Sequence, residues 1–256
     1  MKHSNRHLLE VTLQLAKRDI KTRYAGSFLG PIWIIFYPLA LTLSSTLIFS
    51  FFFKNSIQSI PYILYALSGF ISWTYFSRCV AIATRSLVSN GEIIKNTAIP
   101  NEAIIYSTVI SQSLDFAVNL GVFFTLSLYL HQSFSLNILL LPFIFLVQTC
   151  FQTGLILASS SINIIFRDIQ NLVDLVLQLL FYVTPVIYPL SAIPGFAQSI
   201  ILMNPLTHFL FLYRSAFFHT PINPTSIIIA SFTTIISLIL GHFTFQKLKP
   251  KFSEYL

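Results

Sequence analysis

The chain has 256 residues, of which 55% are hydrophobic and only 9% are charged, against roughly 25% charged residues in an average soluble domain. This composition excludes an ordinary soluble domain and predicts an all-α protein that lies largely in lipid. The net charge of +7 does not indicate nucleic-acid binding, because the basic residues are dispersed along the edges of apolar segments and form no stripe with interleaved stacking residues.

Residues 1–27 predict an amphipathic helix that lies on the membrane surface. Apolar residues recur there at steps of three and four, and basic or polar residues occupy the other faces. The apolar set is Leu9, Leu13, Ala16, Ile20 and Tyr24. The basic end of this helix runs directly into a long apolar segment, which marks a membrane boundary.

Six apolar segments predict six membrane-spanning helices, because backbone polar groups in lipid must find their hydrogen bonds within the protein. The predicted spans are 28–53, 60–77, 104–130, 136–166, 172–189 and 227–245. An even number of spans puts both termini on one side. Most basic residues fall on that side, and only Lys54 and Arg214 clearly fall on the other, so both termini are predicted to be cytoplasmic.

The polar segment 89–100 separates the second span from the third. Its capping Asn90, acidic first turn, basic last turn and final proline predict a short helix. Such a helix would expose Ile93 and Ile94 to the cytoplasm and favour a partner protein. A plain connecting turn fits the sequence equally well.

The segment 191–224 is too apolar for a free extracellular loop, yet proline, glycine and asparagine interrupt it too often for a span. It predicts two short re-entrant or interfacial helices that form a gate over the outer mouth, because irregular backbone at membrane depth must be buried by protein or reached by water. The residues assigned to this gate and to the bend beneath it are Pro185, Pro189, Asn204, Pro205 and Arg214.

Charged residues also lie at the edge between the fourth and fifth spans. Arg167 and Asp168 are adjacent there. They predict either a local charge pair, which would contribute little to stability, or contacts with more distant charges.

Polar side chains inside spans are costly in lipid and usually face a bundle interior or water. Ser111, Asp115 and Asn119 follow one another at steps of four, as do Gln148 and Gln152, so each set lies on one helical stripe. A hydrated pathway explains these stripes, and so does interhelical hydrogen bonding. Asp115 is the stronger functional candidate because it is ionisable.

Aromatic residues are abundant, with 26 Phe and 11 Tyr against 2 Trp. Many suit an interfacial belt or packing. A sugar polymer could nevertheless slide along such rings, since they offer flat apolar faces and, for tyrosine, a hydroxyl. The aromatic candidates for a translocation path are Trp33, Tyr37 and Tyr182.

The sequence lacks three common enzymatic motifs. It contains no GxxxxGK[ST], HExxH or GxSxG pattern, which are the signatures of nucleotide, zinc and serine-nucleophile sites. We therefore predict no catalytic, cofactor-binding or metal-binding residue in this chain. A membrane enzyme remains the remote alternative.

Four blocks of the sequence resemble the ABC-2 type permeases that export polysaccharides. In chain order they are RDIKTRYAGSFLGPIWIIFYPL, NIIFRDIQNLVDLVLQLLFYVTPVIYP, NPLTHFLFLYRSAFF and FQKLKPKFSEYL. The resemblance covers essentially the whole chain as one transmembrane domain, 1–256, and is nearest to O-antigen, capsule and teichoic acid exporters. It implies a homodimer in the bacterial cytoplasmic (inner) membrane that works with two copies of a separate ATPase subunit, which would bind ATP and Mg²⁺.

The resemblance also implies roles for particular residues. Those expected to contact the ATPase are Arg18, Asp19, Asn90, Glu92, Ile93, Ile94, Lys95 and Asn96. The residues expected at the substrate entry are Lys21, Arg23 and Tyr24. The basic residues Arg18, Lys21 and Arg23 would attract the anionic pyrophosphate of a lipid-linked glycan, although lipid headgroups explain them equally well. An ABC-2 exporter of a drug or a small lipid would share the fold and is the alternative function.

Overall fold

The computed structural model describes residues 2–23, 26–53, 60–97 and 99–255, without the side chains of 2–7, 53 and 253. Within these ranges the secondary structure is entirely helical, as the composition predicted. The helices are α1 (Lys2–Arg23), α2 (Ile32–Phe53), α3 (Tyr62–Ser89), α4 (Gly91–Asn96), α5 (Asn101–Tyr129), α6 (Leu141–Ile165), α7 (Ile169–Val183), α8 (Gly195–Met203), α9 (Pro205–Phe217), α10 (Pro224–Leu248) and α11 (Phe252–Tyr255). Short 3-10 turns occupy Leu136–Leu140, Leu190–Ala192 and Lys249–Lys251. Tyr24 and Lys54 lie outside the described residues.

In the described part of the chain, four helical segments are long and apolar enough to cross a membrane. They are Ile32–Phe52, Asn101–Tyr129, Leu136–Ile165 and Pro224–Lys251. The pair α8 and α9 would add a fifth if counted as one span, although the two helices are bent by 93°. The predicted count of six also needs α3 and α7, so it stays a prediction.

Helices α3 and α7 differ most from the predicted spans. α3 has 28 residues and continues past the predicted end at residue 77, because no proline or glycine occurs between 78 and 89 to stop it. α7 has only 15 residues, fewer than the roughly 20 that cross a bilayer without help. It ends at Val183, since Pro185 and Pro189 cannot continue a helix.

Helix α3 lies at the centre of the bundle and packs against α2, α5, α6, α7 and α9. Beside it, α6 and α10 cross very closely. A Cβ atom on Gly154 would collide with the backbone of Ser237, and one on Gly241 would collide with the backbone of Gly154. Ser237 Oγ donates a hydrogen bond to the Phe151 carbonyl at 2.7 Å. Small residues therefore allow this crossing, as at many helix pairs in membranes.

Helix α1 has two apolar faces. The face packed against α5 contains Thr12, Leu15 and Ala16, all buried. Leu9 and Leu13, which the predicted stripe grouped with Ala16, are 57% and 43% exposed. The single predicted stripe is thus divided between a protein-facing side and an outer side whose leucines suit contact with lipid.

Candidate functional site

A row of polar contacts joins α1 to α5. Arg23 donates to Asp115 Oδ2 at 2.6 Å and to Ser111 Oγ at 2.5 Å. One turn earlier on both helices, Ser107 Oγ donates to Asp19 Oδ2 at 3.1 Å. The steps of four place each set on one stripe of its helix, so α1 and α5 run side by side in the same direction.

The guanidinium of Arg23 is largely enclosed. The side chains of Arg23 and Asp115 are only 20% and 10% exposed. With its amide oxygen oriented towards Arg23, Gln112 accepts two further hydrogen bonds at 2.8 and 3.1 Å. The structure therefore brings together a residue predicted to attract the substrate and one predicted to line its path, and it compensates the positive charge within the protein.

The row continues into the segment before α4. Arg18 Nη2 donates to Asp19 Oδ1 and to Asn90 Oδ1, each at 2.8 Å. Asn90 occupies the predicted N-cap position, but its side chain makes no capping hydrogen bond and instead donates to the Ser86 carbonyl at 2.8 Å. Asn90 thereby connects α1 with the junction of α3 and α4. A polar cleft of about 260 Å³ lies beside this junction.

Helix α4 presents a polar surface. Glu92, Lys95 and Asn96 are exposed, and Asn96 Nδ2 donates to Glu92 at 3.4 Å. Ile93 and Ile94 are half-buried rather than exposed, and Ile94 packs against the main hydrophobic core. Ile94 holds α4 against the bundle, and the charged and amide side chains remain exposed. Lys21 on α1 is exposed as well.

Two further ion pairs connect distant elements near these helices. Lys249 Nζ pairs with Glu102 Oε1 at 2.6 Å and ties the end of α10 to the start of α5. Arg85 pairs with Asp174 and ties α3 to α7. Lys249 and Glu102 are 147 residues apart in the chain, so no local sequence pattern could have paired them.

An aromatic cleft of about 370 Å³ opens between α2, α3 and α7. Two of the predicted aromatic path residues, Tyr37 and Tyr182, lie in its wall. The full lining is Tyr37, Leu41, Trp73, Thr74, Ser77, Arg78, Leu177, Gln178, Phe181 and Tyr182. The guanidinium of Arg78 lies over the ring of Tyr37, 5.4 Å from its centroid. Trp73 and Arg78 were not among the predicted site residues.

The other predicted path residues occupy different surroundings. Trp33 packs edge-on against Phe36 with 5.5 Å between ring centroids. Asn119 Nδ2 donates to the Asp115 carbonyl within α5 at 2.9 Å. Gln148 and Gln152 are buried, and Gln148 Nε2 donates to the Ser72 carbonyl of α3 at 3.2 Å. For Gln148 the geometry favours the interhelical explanation.

The predicted gate region contains one strongly buried charge, Arg214 of α9. Its guanidinium donates to the Pro185 carbonyl at 2.9 Å and to the Val186 carbonyl at 2.8 Å. It also lies over the Tyr65 ring, 3.6 Å from the centroid. Arg214 thus fixes the irregular segment after α7 to both α3 and α9.

Other contacts hold the same segment. The Tyr62 hydroxyl of α3 donates to the Ile187 carbonyl at 2.7 Å. Asn204 Nδ2 donates to Thr184 Oγ1 at 2.9 Å, while Asn204 Oδ1 caps α9. Pro205 is the first residue of α9, a position that proline favours, and Pro189 precedes the 3-10 turn.

The charged residues before α7 remain at the surface. Arg167 and Asp168 are exposed, and within the described ranges they form no ion pair with each other or with another residue. They are therefore free to contact another molecule. The same ranges contain no cluster of three or more histidine, cysteine or acidic residues suited to a metal ion.

Comparison with known families assigns this architecture. Residues 10–218 match the family described as ABC-2 type transporter. The chain belongs to the ABC-2 type transporter family. The match confirms the resemblance and contains the first three of the four sequence blocks. It spans most of α1 and extends past α9, so the α1–α5 row and the aromatic cleft both lie inside the matched region of this ABC-2 protein.

Individual relatives cover nearly the whole chain. An O-antigen export system permease protein, RfbA, of Klebsiella pneumoniae is 30% identical over 257 residues, covering 100% of this chain and 98% of its own. A protein of the same description from Myxococcus xanthus is 26% identical over 245 residues, with 94% of each chain covered. The polysialic acid transport protein KpsM of Escherichia coli is 26% identical over 253 residues, covering 94% of this chain and 95% of its own.

Proposed function

We propose that the chain is the permease subunit of an ATP-driven exporter that moves a lipid-linked polysaccharide across the bacterial cytoplasmic membrane. The observation that carries this proposal is the full-length similarity to RfbA of Klebsiella pneumoniae. The aromatic cleft supports it physically, because Trp73, Tyr37 and Tyr182 supply flat apolar faces with nearby hydroxyls, which suit sugar rings.

The proposed transporter is a homodimer that works with two ATPase subunits. ATP and Mg²⁺ belong to those subunits in this proposal, since the chain has no GxxxxGK[ST] phosphate-binding motif. The exposed polar face of α4, formed by Glu92, Lys95 and Asn96, offers the ATPase a docking surface. Arg167 and Asp168, exposed and unpaired within the described ranges, extend that surface if both lie on the cytoplasmic side.

The polar contacts provide a route by which ATPase closure would move the membrane helices. Pressure on α4 reaches α1 through the Asn90–Arg18 hydrogen bond, and α1 is fixed to α5 by the Asp19 and Arg23 contacts. α1, α4 and α5 would therefore move together, which is the kind of coupled element that links two sites. At the opposite end, Arg214 would hold the outer gate until that motion releases it.

Deletion of the gene in its host tests the function. If the proposal is right, the surface polysaccharide disappears and lipid-linked glycan accumulates inside the cell, and a plasmid copy restores both to wild-type levels. Immunoblotting of surface and total glycan measures this. Unchanged surface glycan together with new sensitivity to a drug would contradict the proposal and favour the drug-exporter alternative.

A further inference from the structure

Arg78 differs from four of the five other arginines whose side chains the structure describes, the fifth being Arg167, which is exposed between α6 and α7 and is also without an ion pair. Arg18, Arg23 and Arg85 each pair with a carboxylate, and Arg214 donates to two carbonyls. Arg78 lines the aromatic cleft, where its guanidinium lies over the ring of Tyr37, and its charge also acts on the carboxylate of Asp115 without forming an ion pair with it. No carboxylate of the described residues forms an ion pair with it.

The position of Arg78 makes this arrangement costly without a ligand. It lies in the long helix α3, about 16 Å from the helix end at Ser89 at 1.5 Å per residue. A charged side chain held among aromatic and apolar groups needs water, a counter-charge or both, and such residues in membrane proteins mark substrate pathways. The cleft is open enough to admit water and a ligand, and its volume of about 370 Å³ is typical of small-molecule sites.

The lining of the cleft defines the chemistry of that ligand. Trp73, Tyr37 and Tyr182 offer ring faces for a sugar, Ser77 and Gln178 offer polar groups, and apolar leucines complete the wall. A guanidinium binds phosphate with two parallel hydrogen bonds in a planar fork. The cleft thus combines an anion-binding group with a sugar-binding surface.

We propose that Arg78 binds the phosphate group that joins lipid to glycan, while the aromatic rings of the cleft hold the adjoining sugar. This inference rests on the proposed function and names the residue that recognises its substrate class. It also reassigns the task first given to Arg23. The guanidinium of Arg23 is already occupied by Asp115, Ser111 and Gln112, whereas that of Arg78 makes no hydrogen bond or ion pair with another described residue.

Tryptophan fluorescence can measure binding directly. The chain has 2 Trp, and only Trp73 lines the cleft, so Trp33→Phe leaves one reporter at the site. The full chain carrying this change is reconstituted in liposomes and titrated with a polyprenyl diphosphate. We expect saturable quenching, and the same polyprenol without phosphate should quench at least about tenfold more weakly, as the loss of a charge-assisted contact implies.

Substitutions then assign the contact to Arg78. Arg78→Gln should weaken diphosphate binding at least about tenfold, and Arg78→Lys should weaken it less, because an ammonium keeps the charge but lacks the planar fork. Arg85→Gln is the matched control on the same helix, outside the cleft, and should bind within about twofold of the reference. Equal binding by the Arg78→Gln and reference proteins would overturn the inference. If Arg78→Gln fails to fold, equal binding by the Arg78→Lys and reference proteins would overturn it instead.

Three further outcomes are decisive. A hyaluronan tetrasaccharide whose binding needs Arg78, with diphosphate binding unaffected, would assign the cleft to acidic sugars and overturn the phosphate assignment. A lower proportion of dimer for Arg78→Gln in native mass spectrometry would make the cleft a subunit contact and overturn it as well. Normal glycan export by the Arg78→Gln protein would refute only the inference, whereas normal surface glycan after gene deletion would refute the proposed function.

Discussion

Replacing Asp115 with asparagine would leave the guanidinium of Arg23 without its counter-charge in a largely buried site. The two side chains are 20% and 10% exposed and 2.6 Å apart. Breaking such a pair by removing one partner costs about 3 to 5 kcal/mol. Arginine cannot lose its proton, and Ser111 and Gln112 still accept hydrogen bonds from it. We therefore expect Asp115→Asn to lower the free energy of unfolding by about 3 kcal/mol, and by the same amount at pH ~5.5 and at pH ~7.

The reciprocal change, Arg23→Gln, should behave differently because a carboxyl group can escape its penalty by taking a proton. Neutralising an ordinary carboxyl, with a pKa of about 3.9, costs about 4 kcal/mol at pH ~7 and about 2 kcal/mol at pH ~5.5. The loss for Arg23→Gln should thus be similar to that for Asp115→Asn at neutral pH and should shrink on acidification. The double variant removes both charges and should lie close to wild type, since replacing a whole buried pair is often nearly neutral.

Thermal unfolding of the four proteins in detergent, followed by size-exclusion at both pH values, measures these differences. A loss of about 3 kcal/mol corresponds to a drop of about 6 to 12 °C in Tm. Arg85→Gln is the control, because its pair with Asp174 is 46% and 38% exposed and should contribute less than about 1 kcal/mol. Equal, pH-independent losses for both single variants, or a double variant as unstable as Asp115→Asn, would refute the reasoning.

Three other substitutions address the remaining parts of the fold. Gly154→Val should prevent the close crossing of α6 and α10 and remove the folded protein from size-exclusion profiles, whereas Gly121→Val, with open space around it, should fold normally; a folded Gly154→Val protein would contradict the packing account. Arg214→Gln should reduce surface glycan at least about tenfold at unchanged membrane abundance, since two buried carbonyls lose charge-assisted donors; unchanged export would contradict a gate role. Asn90→Ala should lower the ATPase activity of the assembled transporter by breaking the contact with Arg18, and wild-type turnover would show that this link carries no coupling.

The apolar runs predicted the helices well because length and composition alone decide whether a segment suits lipid. The ends were harder. α3 continues beyond residue 77, since no proline or glycine occurs in 78–89 and much of that segment is buried in the bundle, and α7 stops early at a proline-rich bend. The roles of these two helices as spans therefore depend on their neighbours and not on their own composition.

The polar stripe on α5 was visible in the sequence, but its partner was not. Steps of four identified Ser111 and Asp115 as members of one face. Arg23 is 92 residues from Asp115, so only packing could show that α1 covers that face. Asn90 was predicted at a helix start, yet its side chain bonds to Arg18 because α1 passes within reach.

Arg78 was missed for a physical reason as well. A basic residue just after a predicted span has an ordinary explanation as a topology signal, and the prediction ended that span at residue 77. Because α3 continues, Arg78 lies inside the helix and faces the cleft formed with Tyr37 and Tyr182. The two tyrosines were suggested from sequence, but their convergence with Trp73 and Arg78 required three helices to be placed together.

Reconstituted transport is the most direct test of the central claim that this ABC-2 protein is a polysaccharide permease. The chain and its proposed ATPase partner would be placed in liposomes with lipid-linked glycan from the same host, and the glycan exposed on the face opposite the ATPase would be measured with a glycan-cleaving enzyme. We predict that exposure requires ATP, this chain and the ATPase together. ATP hydrolysis that moves a small lipid or drug while the glycan stays in its original leaflet would contradict the account.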